Sequence, residues 1–426
     1  MKTKIFALIL FCAVGFASAQ KTLRYEDYVY EPNIKSVQLY PHASSAYSVS
    51  SSALNPAVAR LGETMTLEFD DLTADYEQFH VKIFHCNYDW KQSVLSEIEY
   101  LNEYNDYIIN DYEVSRNTKV SYYHYKIEIP AVKISGNYVL VVHRERNKTD
   151  YILSKRFIIY EQQIGAAMNV RTAQDPNLWK THQQVDFEIA YGGYRMMSPK
   201  DELKLVVRQN YRWDRAIYGL KPFTVDESSG RLKYSFFRNE NVFPAGNEFR
   251  FFDSRNTYSR GLGIDKIQRG KEDDMWVSHQ SNRSEYTYTE SFDFDGLYAI
   301  DNMETHRGET EADYIWMTFG LKSHEVDGDK KVYVNGAFNN WQLDKENLME
   351  YDDKYGGYVA TVRLKQGVYN YNFVTKDAAN KVDETFFEGN FSDTQNTYEI
   401  IIYHRPITAR AEKVVGYAIL NFNKRR

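Results

Sequence analysis

The sequence holds reactive side chains, but not in the arrangements that reactions need. His324-Glu325 begins like a zinc-protease helix, yet Val326-Asp327-Gly328 follows where a second histidine would have to share the helix face. Gly261-Leu262-Gly263 has two glycines of a dinucleotide turn, but Ile264-Asp265-Lys266 omits the third, which close helix–strand packing requires. There is no G-x-S-x-G nucleophile elbow and no phosphate-binding P-loop. Asp293-Phe294-Asp295-Gly296 sets two acids before a glycine; a calcium loop needs more oxygen ligands at fixed spacing, so this stretch reads as a turn after a strand. Asp327-Gly328-Asp329 reads as a hairpin turn. The 10 histidines are scattered, and the 2 cysteines are Cys12 and Cys86. Cys12 lies in an apolar leader, so Cys86 alone can make neither an internal disulfide nor a cysteine-based metal site. We assign no catalytic residue, metal ligand or cofactor. Paired carboxylates of the glycosidase type need not be neighbours in sequence, and that class stays open.

The residue types that do cluster are those of recognition. Tyr, Trp and Arg supply large, specific contact area and dominate interface hot spots. One loop, 209–230, carries Tyr211, Trp213, Arg215 and Tyr218; a second, 254–271, carries Arg255, Tyr258 and Arg260. A third, 91–120, sets Tyr104 and Tyr107 among Glu97, Glu99, Glu103, Asp106, Asp111 and Glu113. This last stretch reads either as an acidic-aromatic contact loop or as a short helix, Val94 to Asn102, covering a sheet edge. Replacing Trp213, Arg215 and Tyr218 together is expected to weaken partner binding and leave folding intact.

These loops need a rigid scaffold. The chain of 426 residues contains 36 Tyr, 24 Phe and 6 Trp but only 9 Pro, a composition suited to half-buried pleated surfaces. Period-2 alternation predicts strands at Ser36–Tyr40, Met65–Asp70, Phe79–Asn87, Ser121–Ile129, Asn137–Arg144 and Ile152–Tyr160. Further strands are expected at Ala167–Thr172, Val185–Tyr191, Leu203–Gln209, Leu232–Arg238, Glu248–Asp253 and Tyr286–Phe294, then at Tyr314–Gly320, Lys331–Asn335, Tyr358–Leu364, Val368–Val374, Tyr398–Tyr403 and Val414–Phe422. The expected fold class is all-β, with tandem immunoglobulin-like and early-set β-sandwiches. The expected division is 20–162, 163–308 and 309–426. Residues 1–19 read as a secretory signal peptide: Lys2 and Lys4, an apolar run from Ile5 to Phe16, and cleavage after Ala19. No later apolar run approaches the ~20 residues of a membrane helix. A formal charge of −7 argues against a nucleic-acid partner. Strands this short and charged, ending in Arg426, also argue against an outer-membrane barrel.

Val332-Tyr333-Val334-Asn335-Gly336-Ala337-Phe338-Asn339-Asn340-Trp341, with Gly357-Tyr358, Gly367-Val368-Tyr369 and Tyr371-Asn372-Phe373, resembles the early-set module of glycogen-branching enzymes and isoamylases. In glycan-binding members a Trp stacks on sugar, and Trp341 matches it; Asn372 stands where a Lys is usual, Asn396 could match a late polar contact, and the second stacking Trp is missing. The longer pattern resembles the Plug family of the type IX secretion system. It comprises Leu23-Arg24-Tyr25-Glu26-Asp27-Tyr28-Val29-Tyr30, Glu68-Phe69-Asp70-Asp71, Tyr88-Asp89-Trp90, Gly136-Asn137-Tyr138 and Phe243-Pro244-Ala245-Gly246-Asn247. That resemblance implies a non-catalytic periplasmic protein, peripheral to the outer membrane and a monomer within a larger complex. Its partner would be the SprA-type β-barrel translocon, whose pore it would close from the periplasmic side. The alternative is a periplasmic polysaccharide-binding protein using the early-set module.

Overall fold

The computed structural model describes residues 21–42 and 53–423; the expected signal peptide and its cleavage point lie outside them. The chain is all-β, folded into several mostly antiparallel sheets. The first unit is a sandwich. One sheet orders Tyr28–Val29, Asn147–Tyr160, Gly136–Arg144, Phe79–Cys86 and Tyr107–Ile108, with Val58–Arg60 added parallel to Asn147–Tyr160. The facing sheet orders Ile34–Pro41, Met65–Asp71, Tyr123–Ile129 and Asp111–Val114. Alternation decides what faces inward: Phe79, Val81 and Ile83 enter the core with Leu67, Phe69, Tyr138 and Leu140, while His80 and Lys82 are half-buried on the other face.

Gly136–Arg144 does not alternate; it is apolar throughout, and the structure supplies the reason. Tyr138, Leu140 and Val142 fill the first core, whereas Val139 and Val141 point to the opposite face and pack on another sheet. A strand buried on both faces has no reason to carry polar residues. The partner sheet orders Ile217–Tyr218, Leu203–Gln209, Asn396–His404 and Lys413–Phe422. There too Tyr398, Ile400 and Ile402 fill one core while Ile401 and Tyr403 face the first unit.

This pairing crosses the division expected from sequence. Leu203–Gln209 belongs to the middle stretch, yet its neighbour Asn396–His404 lies near the end of the chain, in register from Leu203↔His404 to Gln209↔Tyr398. The middle sandwich therefore takes half of its second sheet from within the expected 309–426 unit. Its other sheet orders Gly165–Thr172, His182–Ala190, Arg231–Tyr234 and Thr224–Asp226. The third unit is inserted between these parts. It is one continuous 11-stranded sheet, curved almost into a barrel, running from Arg250–Asp253 through Gly367–Lys376, Lys331–Asn335, Leu348–Asp352, Gly357–Lys365 and Tyr314–Lys322 to Asp273–Val277 and Ile264–Gln268. Phe252, Phe319, Val332, Val334, Tyr371 and Phe373 form its core.

Two local expectations change. Tyr286–Phe294 is not a strand; Phe294 lies edge-on to Phe251 at 5.9 Å and Tyr288 is hydrogen-bonded to Glu248, while Tyr286 and Phe292 are exposed. Within 91–120 the short helix of the second reading is present, at Glu97–Tyr100 rather than Val94 to Asn102, and edge strands follow at Tyr107–Ile108 and Asp111–Val114. Tyr100 is the buried residue of that helix, and its hydroxyl donates to the Ile83 carbonyl at 3.1 Å.

Candidate functional site

Of the residues singled out by type, Tyr211, Trp213 and Trp341 line a cleft of about 280 Å³ where the three units meet. Asn210 and Tyr211 are both left-handed, with φ of 52° and 61°. Side chains disfavour that region, but Asn210 is held by hydrogen bonds to Asn396 at 2.8 Å and from the Thr397 amide at 2.9 Å. The resulting turn sends Trp213 back beneath the first sandwich. Trp213 meets Trp90 edge-to-face at 4.6 Å, with Arg208 over its ring at 4.3 Å. Arg156 lies over Trp90 at 4.6 Å. The aromatic quadrupole attracts each guanidinium, the more so where water is excluded.

Beside it, Arg212 lies 3.9 Å above the Trp341 ring and donates to Glu384 through two bonds of 2.7 Å. Arg215 approaches Glu384 at 3.3 Å. Burial alone would raise the Glu384 carboxyl, but Arg212 and Arg215 hold it down at about 2. Lys155 donates to Asp27 and to Asn340, both at 3.1 Å. The first sandwich, the middle unit and the third unit are thus tied together here, with Trp213, Arg215 and Trp341 among the side chains that do it.

This revises what several of them do. Trp213 and Arg215 are half-buried cement between units, so replacing them together with Tyr218 would loosen the body itself. Tyr218 is 39% exposed and rests near Tyr88. Trp341 has one ring face under Arg212, and a Cβ at Gly296 would collide with its edge. That collision explains Asp293-Phe294-Asp295-Gly296: the turn, with φ of 82° at Gly296, exists to let the Trp341 ring in. Asn372 is buried and donates to Glu384 at 3.3 Å, and Asn396 is buried between Gln183, Asn210 and the Ala245 carbonyl. Trp341, Asn372 and Asn396 form no open sugar platform. Among the described residues, no group of three or more His, Cys, Asp or Glu is placed to hold a metal ion.

Other candidates remain outside. Tyr104 is 75% exposed and Tyr258 65%, and Arg260 is exposed, while Tyr107 is half-buried and Arg255 is clamped to Asp253 at 2.7 and 3.0 Å. Val94 and Ile98 are exposed beside Tyr104 in sequence.

Sequence reasoning missed a polar junction between the first sandwich and the third unit. Asp70 accepts from Lys365 Nζ at 2.7 Å, His124 Nδ1 at 2.7 Å and the Tyr314 hydroxyl at 2.6 Å. Asp70 and Lys365 are almost completely buried. Burial would raise the Asp70 carboxyl, but Lys365 and His124 hold it below the ordinary range. The sequence marked Asp70 only as part of Glu68-Phe69-Asp70-Asp71, with nothing to join it to Lys365 or Tyr314, which lie more than 240 positions away.

Residues 34–161 match the family model of the type 9 secretion system plug protein first domain. The match covers the first sandwich from Ile34 onward, and within it Asp70, Trp90 and Arg156 make contacts to the other units. A crystal structure of a hypothetical protein from Parabacteroides merdae is also similar, with 29% identity and a TM-score of 0.86 over 94% of this chain and 100% of that one. No curated protein matches. No helix among the described residues is long and apolar enough to cross a membrane.

Proposed function

We propose that the chain is a non-catalytic periplasmic plug that binds the SprA-type outer-membrane translocon of the type IX secretion system and closes its pore from the periplasmic side. The match of the first sandwich to the plug first domain carries this reading. A seal must resist deformation, and three units cross-linked by Trp90–Trp213, Arg212–Glu384 and Asp70–Lys365 supply a stiff body. A stable interface buries on the order of 1,200–2,000 Å² with a few aromatic or Arg anchors. Tyr104, Tyr258 and Arg260, with Val94 and Ile98, are the exposed residues suited to that role.

The test is co-purification. The chain is tagged at its C-terminus in its own host and the envelope is solubilised gently. Recovery of a SprA-type barrel near one-to-one is expected. Tyr104→Ala with Ile98→Ser should weaken that recovery while urea unfolding of the isolated protein shifts by no more than about 0.5 kcal/mol per site, as for exposed positions generally. Absence of any barrel, with retention on polysaccharide gels, would replace the plug reading with a glycan-binding one.

A further inference from the structure

One edge of the middle unit is aromatic and basic, in a chain whose formal charge is −7. Thr224–Asp226 is the outermost strand of its sheet and pairs on one side only, with Arg231–Tyr234. Phe223 precedes it, its amide donating to the Lys233 carbonyl at 2.8 Å. The chain leaves Arg231–Tyr234 through Phe236, which packs against the core, and Phe237, which does not. Phe223 and Phe237 meet edge-to-face at 5.7 Å, yet they are 63% and 69% exposed. Asn239 donates to Asp175 at 3.0 Å, which ties in the neighbouring turn with its exposed Trp179. We propose that this edge docks on a phospholipid surface of net negative charge. The proposal goes beyond the plug reading and does not rest on it.

The first argument is charge. Lys180, Lys221, Lys233 and Arg238 are exposed, and among the described residues none of the four is ion-paired. They outnumber the nearby acids Asp175 and Glu240, whose carboxylates are held by neutral donors, the Asn177 amide at 2.9 Å and the Arg238 amide at 3.0 Å. Glu188, across the sheet from Lys233, is taken by Arg231 at 2.6 Å. Asp226 closes the far end of the edge strand and is turned onto Ser228 and Ser229. The charge left over beside the two Phe rings is positive, and it calls for an anionic surface.

The second argument is residue type. Exposed apolar rings with a polar rim mark either a protein or a membrane contact. Protein interfaces are depleted in Lys, whereas Trp and Phe set beside Lys and Arg are the composition of surfaces that lie in the headgroup region of a bilayer. There the Phe rings reach the acyl boundary, the Trp indole stays among the headgroups, and the cations meet phosphates. Each cation near an anionic bilayer is worth about fivefold in affinity.

The experiment sediments the purified protein with vesicles of phosphatidylethanolamine and phosphatidylglycerol, and separately with vesicles of phosphatidylcholine. Binding to the anionic vesicles alone is expected, falling away at about 1 M salt, where charges are screened within ~3 Å. Phe223→Ser with Phe237→Ser should lower partitioning by about tenfold or more. Lys221→Gln with Lys233→Gln should lower it by roughly 25-fold. All four positions are exposed, so the urea midpoint of each double variant should match that of the parent. No sedimentation with anionic vesicles, equal binding to phosphatidylcholine, or unchanged partitioning of either double variant would overturn the proposal. So would loss of translocon recovery in the Phe223→Ser, Phe237→Ser variant with vesicle binding intact, which would assign the edge to a protein partner. The vesicles contain no translocon, so their outcomes leave the plug reading untouched.

Discussion

The first sandwich is held to the rest of the chain by two junctions built on opposite principles. Against the middle unit, Val139, Val141 and Ile158 meet Val206, Ile401 and Val414 in an apolar centre, with Arg156 and Arg208 stacked on Trp90 and Trp213 at its margin and one buried hydrogen bond donated by Tyr403 to Asn137 at 2.9 Å. Against the third unit, the contact is made by Asp70, Lys365, His124 and Tyr314, and it encloses a cavity. Fully burying a Val or Ile side chain is worth roughly 1.5–3 kcal/mol and tolerates many neighbours. A buried ion pair gains little net energy, because desolvation offsets its attraction, but it accepts only one partner geometry. The apolar junction therefore supplies strength, and the polar one supplies orientation.

The sharpest way to break this contrast is a charge in the apolar junction. Ile401→Asp should destabilise by about 3–5 kcal/mol, because an unpaired carboxylate would face Val139 and Val141. Loss of the folded fraction in urea titration, with no rescue by a second apolar substitution, is the expected result.

The polar junction should behave differently. Lys365→Met removes the lysine from buried Asp70, which keeps only the His124 and Tyr314 hydrogen bonds, and should again cost about 3–5 kcal/mol, whereas adding Asp70→Asn should recover most of it. A double variant no better than the single would mean that the pair contributes strength rather than orientation. A double-mutant cycle by chemical denaturation decides this.

A smaller effect sharpens the view of the first core. His85 is buried against Tyr138 and Tyr100, with neither ring nitrogen well hydrogen-bonded, and burial pushes its pKa down to about 4. An unfolded histidine titrates near ~6.5. Between those values the unfolded chain binds a proton that the folded chain refuses, so stability falls as pH drops from neutral through about 4. The loss has an upper bound of about 3 kcal/mol. His85→Phe should remove that part of the pH dependence, measured as the difference between wild-type and variant unfolding free energies at neutral and at acid pH.

The scaffold was legible in the residues because alternation and turn chemistry act locally. Met65–Asp71, Phe79–Cys86 and Leu203–Gln209 stand where period 2 puts them. Asp273–Val277 escaped notice because two aspartates open it; Asp273 is nonetheless buried, held by Lys119 at 2.5 Å. Tyr286–Phe294 misled in the opposite direction, since alternating aromatics also fit an irregular segment in which Phe294 and Tyr288 find partners while Tyr286 and Phe292 stay exposed. For the recognition residues, side-chain type was informative and location was not. Trp213 and Tyr104 look alike as loop aromatics, yet one is locked against Trp90 and the other faces solvent.

What the sequence by itself determined is most of the strand content, the turns, the two-sided burial written into Tyr138–Val142 and Ile400–Tyr403, and the lack of a nucleophile elbow or P-loop. Only the tertiary structure decided which strands pair. Arg208 and Glu399, 191 positions apart, form a buried ion pair because Leu203–Gln209 and Asn396–His404 are neighbours in one sheet. Hydrophobic pattern fixes which face of a strand is buried, but every apolar strand offers the same pattern to every other. Choosing among partners takes the packed shapes and paired charges that exist only once distant segments meet.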